Sequence, residues 1–314
     1  MKKIIIPKKS QLTLKDGWKN YVRYCKVKNL AEVTIKSYRQ GYDNLENYLG
    51  GDFLVSNITL EHIESLILKL KGKDTIKDIT INTRLRSIRA FLYYYMEKGY
   101  IDSFKIELLR VQIKQKQPYT DQELKKLLVK PNLNETRFSV YRNWVIINFV
   151  LGTGVRLSTL NNLKNRDILL DTGMADLRHT KNRSQQIIPL PTSLINILEE
   201  YMSIRKGEKS DALFCNEHGK KLHKDWIKKA IYIYNKRRGV NKTSLHLLRH
   251  TFAKKYIMAG GNPLKLQKLL GHKSMRMVKR YVNLYSQDLK KDYDRFNPLE
   301  NIVDQGEYIE MNMR

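Results

Sequence analysis

The stretch SLHLLRHTFA, residues 244–253, places His246, Arg249 and His250 within five positions. On a helix these three share one face, because residues three and four apart are neighbours. Two chemistries call for such a group. His-x-x-x-His on a helix is a zinc-like spacing. A phosphate wants an arginine for bidentate contact and an imidazole for a proton or a hydrogen bond. A helix with a few satisfied polar residues is the third reading, and the rest of the chain must decide.

The chain has 314 residues, enough for two domains with real cores. Its 59 Lys and Arg against 31 Asp and Glu give a formal net charge of +28, spread over both halves. Such a charge points to a long polyanionic partner, and nucleic acid is the simplest. The cysteines, Cys25 and Cys215, lie far apart and lack metal-ligand spacing, which fits a reducing, cytoplasmic setting. The opening MKKIIIPKKSQ has too short an apolar run for a signal peptide. The most apolar stretch, WVIINFVLGTGV at 144–155, is too short to span a bilayer and reads as a core helix, so no membrane partner is expected.

The elements that must position these residues show in the apolar periodicity. Residues 11–110 read as helices. Leu14, Trp18, Tyr21, Val22 and Cys25 form one stripe, and Ile35, Tyr38, Tyr42, Leu45 and Leu49 the next, stopped at Gly50-Gly51. Thr59 is a plausible N-cap. Leu85, Ile88, Phe91, Leu92 and Tyr95 turn inward on a further helix, whose Arg84, Arg86 and Arg89 are candidates for contact with DNA phosphates. RVQIKQKQPYT at 110–120 is polar, basic and aperiodic, and reads as an interdomain linker. Thr120 and Glu123 then form a capping box. Two strand-like runs around TKNRSQ in 171–190 predict a small β-hairpin with a basic turn. Helices resume at 193–204, in KDWIKKAIYIYNKRRG, and in SLHLLRHTFAKKYIMAGG. PLKLQKLLG has Pro263 at its first turn and Gly271 at its stop, and a last helix starts from Ser274.

Four boxes in this order, GTGVRLSTL (152–160), HTKNRSQQIIPL (179–190), HLLRHTFA (246–253) and LLGHKSMRMVKRY (269–281), resemble the signature boxes of the tyrosine recombinases, the phage integrase family. The resemblance covers essentially the whole chain. It implies a mainly α fold with a small β-hairpin sheet, in two domains. A helical core-binding domain would span 1–111, a linker 112–118, and a mixed α/β catalytic domain 119–298. A tail at 299–314 could dock on a neighbouring protomer. A C-shaped clamp would close around the duplex.

The resemblance also implies the roles. Tyr281 is the nucleophile, in preference to Tyr285 one turn on. Arg156 and Arg249 clamp the phosphate. Lys181, in the hairpin turn, is general acid to the leaving 5′-oxygen, in preference to Arg183, which remains a DNA-contact candidate. His246 handles protons, and His272 hydrogen-bonds a non-bridging oxygen. His250 is expected to be a buried, hydrogen-bonded structural imidazole. The residue types suit the chemistry independently. Breaking a phosphodiester needs a nucleophile, countercharge on the non-bridging oxygens and an acid for the leaving group. A tyrosine of ordinary pKa, about 10, needs a concentrated positive field.

The phosphate reading of His246, Arg249 and His250 therefore prevails. A zinc ion would sit beside Arg249 and find no nearby cysteine or carboxylate. No cofactor or metal is expected. One position departs from the family pattern: Thr159 stands where an acidic residue is usual, three after the first arginine. The core-binding domain begins by about residue 11, which favours an Xer-like or transposon-type enzyme without an arm-binding domain. The expected partners are double-stranded DNA with an inverted-repeat site and three further copies of the chain in a tetrameric synapse. Two other functions stand as alternatives: a type IB topoisomerase, which shares the Arg/Lys/Arg/His/Tyr chemistry and would relax supercoils as a monomer, and a non-catalytic DNA-binding protein on the same fold.

Overall fold

In the N-terminal part the apolar stripes become four helices: α1 (Leu14–Val27), α2 (Glu32–Leu49), α3 (Leu60–Lys71) and α4 (Asp78–Glu97). The computed structural model describes residues 11–112, 117–178, 185–272, 274, 275, 277 and 278. The chain divides into two units, Met1–Lys114 and Gln115–Arg314, each with its own core.

In the first unit, Leu85, Ile88, Phe91, Leu92 and Tyr95 of α4 are all fully buried, and Ile81 joins them. Trp18 of α1 stacks on Tyr42 of α2 with ring centroids 4.7 Å apart and meets Phe91 edge-on at 5.8 Å. Large rings in these geometries supply much of a small core's buried area. Thr59 caps α3, and His62 Nδ1 accepts from the Thr59 backbone N–H. The helical pattern ends at Glu97, earlier than the periodicity implied. Residues 101–112 carry no helix. Buried Asn82 of α4 holds this segment by exchanging two hydrogen bonds with the Leu109 backbone, at 2.9 and 2.8 Å.

The second unit is built around α6 (Phe138–Thr153), which buries Trp144, Val145, Ile146, Ile147, Phe149 and Val150. A helix apolar on nearly every side belongs in a core. Against it pack α5 (Asp121–Leu128), α8 (Thr192–Arg205), α9 (Lys224–Arg237) and α10 (Leu245–Met258). The Thr120–Glu123 capping box forms at the start of α5. Just before it, Tyr119 is buried and its N–H donates to Thr251 Oγ1 of α10 at 3.0 Å, fixing where the chain enters this unit.

The expected hairpin is present as β2 (Met174–Leu177) and β3 (Gln186–Pro189), with its turn, 179–184, outside the described residues. A further strand, β1 (Ile168–Leu169), makes a three-stranded antiparallel sheet in the order β1-β2-β3, with Ala175 opposite both Ile168 and Ile188. Two short helices complete the frame of the site, α7 (Leu157–Leu160) and α11 (Pro263–Leu270). Among the described residues no helix is long and apolar enough to cross a membrane.

Candidate active site

Two glycines place the arginine and histidine boxes. Gly154 ends α6 in the left-handed conformation, φ 64°. A Cβ there would lie 2.4 Å from Phe252 Cδ1 and 2.8 Å from Leu270 Cδ2. Backbone and space both demand glycine, and the turn it makes puts Arg156 at the N-cap of α7. Gly271 ends α11 the same way, φ 58°, and a Cβ there would lie 2.7 Å from Gln186 Oε1. His272 follows directly.

The carboxy end of α11 gathers the charged groups. Arg156 Nη1 donates to Leu270 O at 3.2 Å and to Gly271 O at 3.4 Å. Arg249 is 2% exposed; its Nη1 donates to Gly154 O at 2.6 Å and its Nη2 to Leu270 O at 2.8 Å. Gln186 of β3 donates to Leu269 O at 3.0 Å and to Lys268 O. The last carbonyls of a helix have no partner within it and carry the negative end of its dipole. Two guanidinium groups therefore meet at the Leu270 carbonyl.

Arg249 Nη2 also lies 2.8 Å from His272 Nε2. Guanidinium nitrogens only donate, so Nε2 accepts and the ring's proton sits on Nδ1. Burial, then the nearby charges of Arg249 and Arg156, push the His272 pKa down to about 4. His272 is thus neutral at neutral pH.

His246 lies on the exposed face of α10, with its Nε2 3.0 Å from His250 Nε2 and the rings edge to face. One nitrogen must donate and the other accept, so the pair shares a proton along this line. His250 is half-buried rather than buried as expected, because Leu245, Leu247, Leu248, Arg249 and Thr251 take the core side of α10.

Arg156, His246, Arg249 and His272 line one cavity of about 950 Å3. Lys228, Lys229 and Tyr232 of α9 line it too. The sequence reading did not single these out, although the cations of KDWIKKAIYIYNKRRG were visible. Thr159 is buried in α7. Among the described residues no group of three or more His, Cys, Asp or Glu could hold a metal ion. Lys181, Arg183, Tyr281 and Tyr285 lie outside the described residues. Arg84, Arg86 and Arg89 belong to the other unit: Arg84 donates to Asn44 Oδ1 at 3.0 Å, Arg86 is exposed, and Arg89 lies 5.2 Å over the Tyr93 ring. Paired guanidiniums, a neutral imidazole and a second histidine around an open cavity suit a phosphate that undergoes reaction.

A profile described as the phage integrase family matches residues 118–288. The chain belongs to the phage integrase family. Within that family it is a tyrosine-type site-specific recombinase. It is 27% identical over 303 residues to tyrosine recombinase XerC of Thermodesulfovibrio yellowstonii, covering 89% of this chain and 95% of that one. It is 26% identical to tyrosine recombinase XerD of Staphylococcus haemolyticus, covering 88% and 97%. Among solved structures its fold resembles that of the Tn1549 transposon integrase in complex with transposon right end DNA. The TM-score is 0.75 at 21% identity, over 90% of this chain and 99% of that one. A lambda integrase dimer bound to a COC′ core site gives a TM-score of 0.70 at 17% identity, over 86% and 95%.

Proposed function

We propose that this recombinase cuts and rejoins double-stranded DNA through a 3′-phosphotyrosyl intermediate on Tyr281. Tyr281 Oη attacks the scissile phosphorus, and the bond from phosphorus to the 5′-oxygen breaks. Lys181 delivers a proton to that oxygen, leaving a 5′-hydroxyl, and the phenol proton passes to His246. Arg156 and Arg249 hold the non-bridging oxygens and stabilise the charge that builds on them. His272 hydrogen-bonds a non-bridging oxygen. The phosphotyrosyl ester keeps the bond energy, so a second 5′-hydroxyl reverses the reaction without ATP.

Carried out between paired inverted-repeat sites, with four protomers in the synapse, the two rounds of exchange pass through a Holliday junction. A cytoplasmic enzyme of a mobile element or of chromosome maintenance fits this activity. The core-binding domain at 1–111, with Arg84, Arg86 and Arg89, and Arg183 of the hairpin turn would contact the flanking duplex. The observation that supports the reading best is the convergence of Arg156, Arg249 and His272 on the end of α11, in the cavity that His246 also lines.

The test is a suicide substrate whose nicked strand diffuses away after cleavage. The wild-type protein should form a covalent DNA adduct, also in EDTA. Tyr281→Phe should bind DNA but form none, since only the nucleophilic oxygen is lost. An adduct with Tyr281→Phe and none with Tyr285→Phe would move the nucleophile one turn along. A two-site assay then separates exchange from simple relaxation.

A further inference from the structure

Four consecutive carbonyls at the carboxy end of α11 hold three side chains in order. Lys268 O and Leu269 O accept from the Gln186 amide, Leu270 O from Arg249 and Arg156, and Gly271 O from Arg156. Gln186 opens β3, two residues after the segment 179–184 that contains Lys181 and lies outside the described residues. Its Oε1 occupies the space a side chain at position 271 would need. The hairpin is therefore tied to the same short piece of backbone that orients both arginines.

The neighbouring glutamine does something different. Gln185 Nε2 donates to both Asp176 oxygens, at 2.9 and 3.0 Å, and Asp176 also accepts from Arg178 Nε at 2.8 Å. These bonds close the base of the hairpin on itself. Gln186, on the opposite face of the strand, sets where that hairpin stands relative to α11.

We infer that Gln186 is a positioning residue for the general acid, holding the strand that follows the Lys181 turn in register with Arg156 and Arg249. This rests on the reading of Lys181 as general acid. A proton donor must stand within hydrogen-bond reach of the leaving oxygen, and a displacement of about 1 Å costs on the order of 100-fold in rate. An amide bonded to two carbonyls is well suited to such a task, since it is neutral and leaves the arginines' charge untouched.

The experiment is single-turnover cleavage by the full-length protein of two suicide substrates, one with the ordinary 5′-bridging oxygen and one with sulfur there. A thiolate, whose conjugate thiol has a pKa of about 8.5, leaves without a proton donor. Lys181→Ala should be slow on the oxygen substrate and recover on the sulfur one. Gln186→Ala should lose roughly 10- to 100-fold on oxygen and regain most of it on sulfur, with DNA binding retained as the check on folding. Gln186→Met, which keeps the length and the neutrality and loses the donor, should behave alike. Gln185→Ala should retain near-normal rates on both.

An equal loss by Gln186→Ala on both substrates overturns the proposal, because the defect would then lie in the arginine clamp. So does an unchanged rate, or the same sulfur-rescued pattern in Gln185→Ala. If Lys181→Ala itself is not rescued, the general-acid reading fails and this proposal fails with it. Rescue of Lys181→Ala alone leaves that reading standing and removes Gln186 from it.

Discussion

Arg249 donates to His272 Nε2 over 2.8 Å and also to the Gly154 and Leu270 carbonyls. One buried guanidinium thus joins the turn after α6 to the end of α11 and fixes the tautomer of the histidine beside it. A lysine at 249 keeps the charge but lacks the planar fork that reaches three acceptors. Arg249→Lys should lower single-turnover cleavage by about 100- to 1000-fold, as for other losses of transition-state charge stabilisation. It should also cost about 1–3 kcal/mol in urea unfolding, because buried acceptors lose their donor. DNA binding should change little, since many other cations contribute to it. Near-normal cleavage by Arg249→Lys would show that charge alone suffices.

The same contact gives stability a pH dependence. His272 has a pKa of about 4 in the folded chain against an ordinary 6.5. Between these values the unfolded chain takes up a proton that the folded chain refuses. Stability from this residue is therefore full above about pH 6.5 and is lost as pH falls through about 4, by up to about 3 kcal/mol. Urea midpoints measured between pH 7 and pH 4 should fall more steeply for the wild type than for His272→Gln. Parallel curves would mean that burial beside two arginines does not discourage protonation of His272.

The parts of this architecture that could be read from the sequence are those encoded locally. The α4 stripe needs only helical spacing, and the Thr120–Glu123 box only four residues. His246 and Arg249 announce themselves by type and proximity. The hub that Arg249 and Arg156 bind does not. Backbone carbonyls at 268–271 have no residue type, and Gln186 is an ordinary glutamine until the fold sets it against α11. Strand β1, two residues long, is below the length at which alternation shows. The segment after Glu97 kept enough apolar residues to look helical, but Asn82 holds it in another conformation through contacts 27 positions away in sequence. His250 was misplaced for a similar reason. Its exposure depends on which side of α10 faces the core, and α10 carries apolar and polar residues without a clean stripe.

Gly154 tests how far the site depends on its backbone. Alanine in the left-handed conformation costs about 1–2 kcal/mol, and its Cβ would collide with Phe252 of α10 and Leu270 of α11, which pack in one small apolar cluster. Overpacking of that kind adds roughly 1–3 kcal/mol. Gly154→Ala should lower the thermal midpoint and slow cleavage together, because relief of the clash moves Arg156 away from Leu270 O. Gly239→Ala, at a positive φ but with open space around it, should show the backbone cost alone and retain cleavage. Equal destabilisation by the two variants would mean that Phe252 and Leu270 yield without cost.

The acidic end of the chain gives the last prediction. Residues 299–314 carry Glu300, Asp304, Glu307 and Glu310 against Arg314, with Leu299, Ile302, Val303, Tyr308, Ile309 and Met311 among them; they lie outside the described residues. On a protein of net charge +28, such a segment is repelled by the DNA that attracts the rest. Its apolar residues give it something to bury, and a second copy of this basic chain offers the complementary charge. Docked on a neighbour in a tetramer, the segment would couple one active site to the next. Deleting residues 299–314 should leave binding to a single site nearly unchanged in gel shifts. Two-site recombination should be lost, or cleavage released from its pairing between protomers. A truncated protein that assembles synapses and recombines at the wild-type rate would show that the tail has no role in trans.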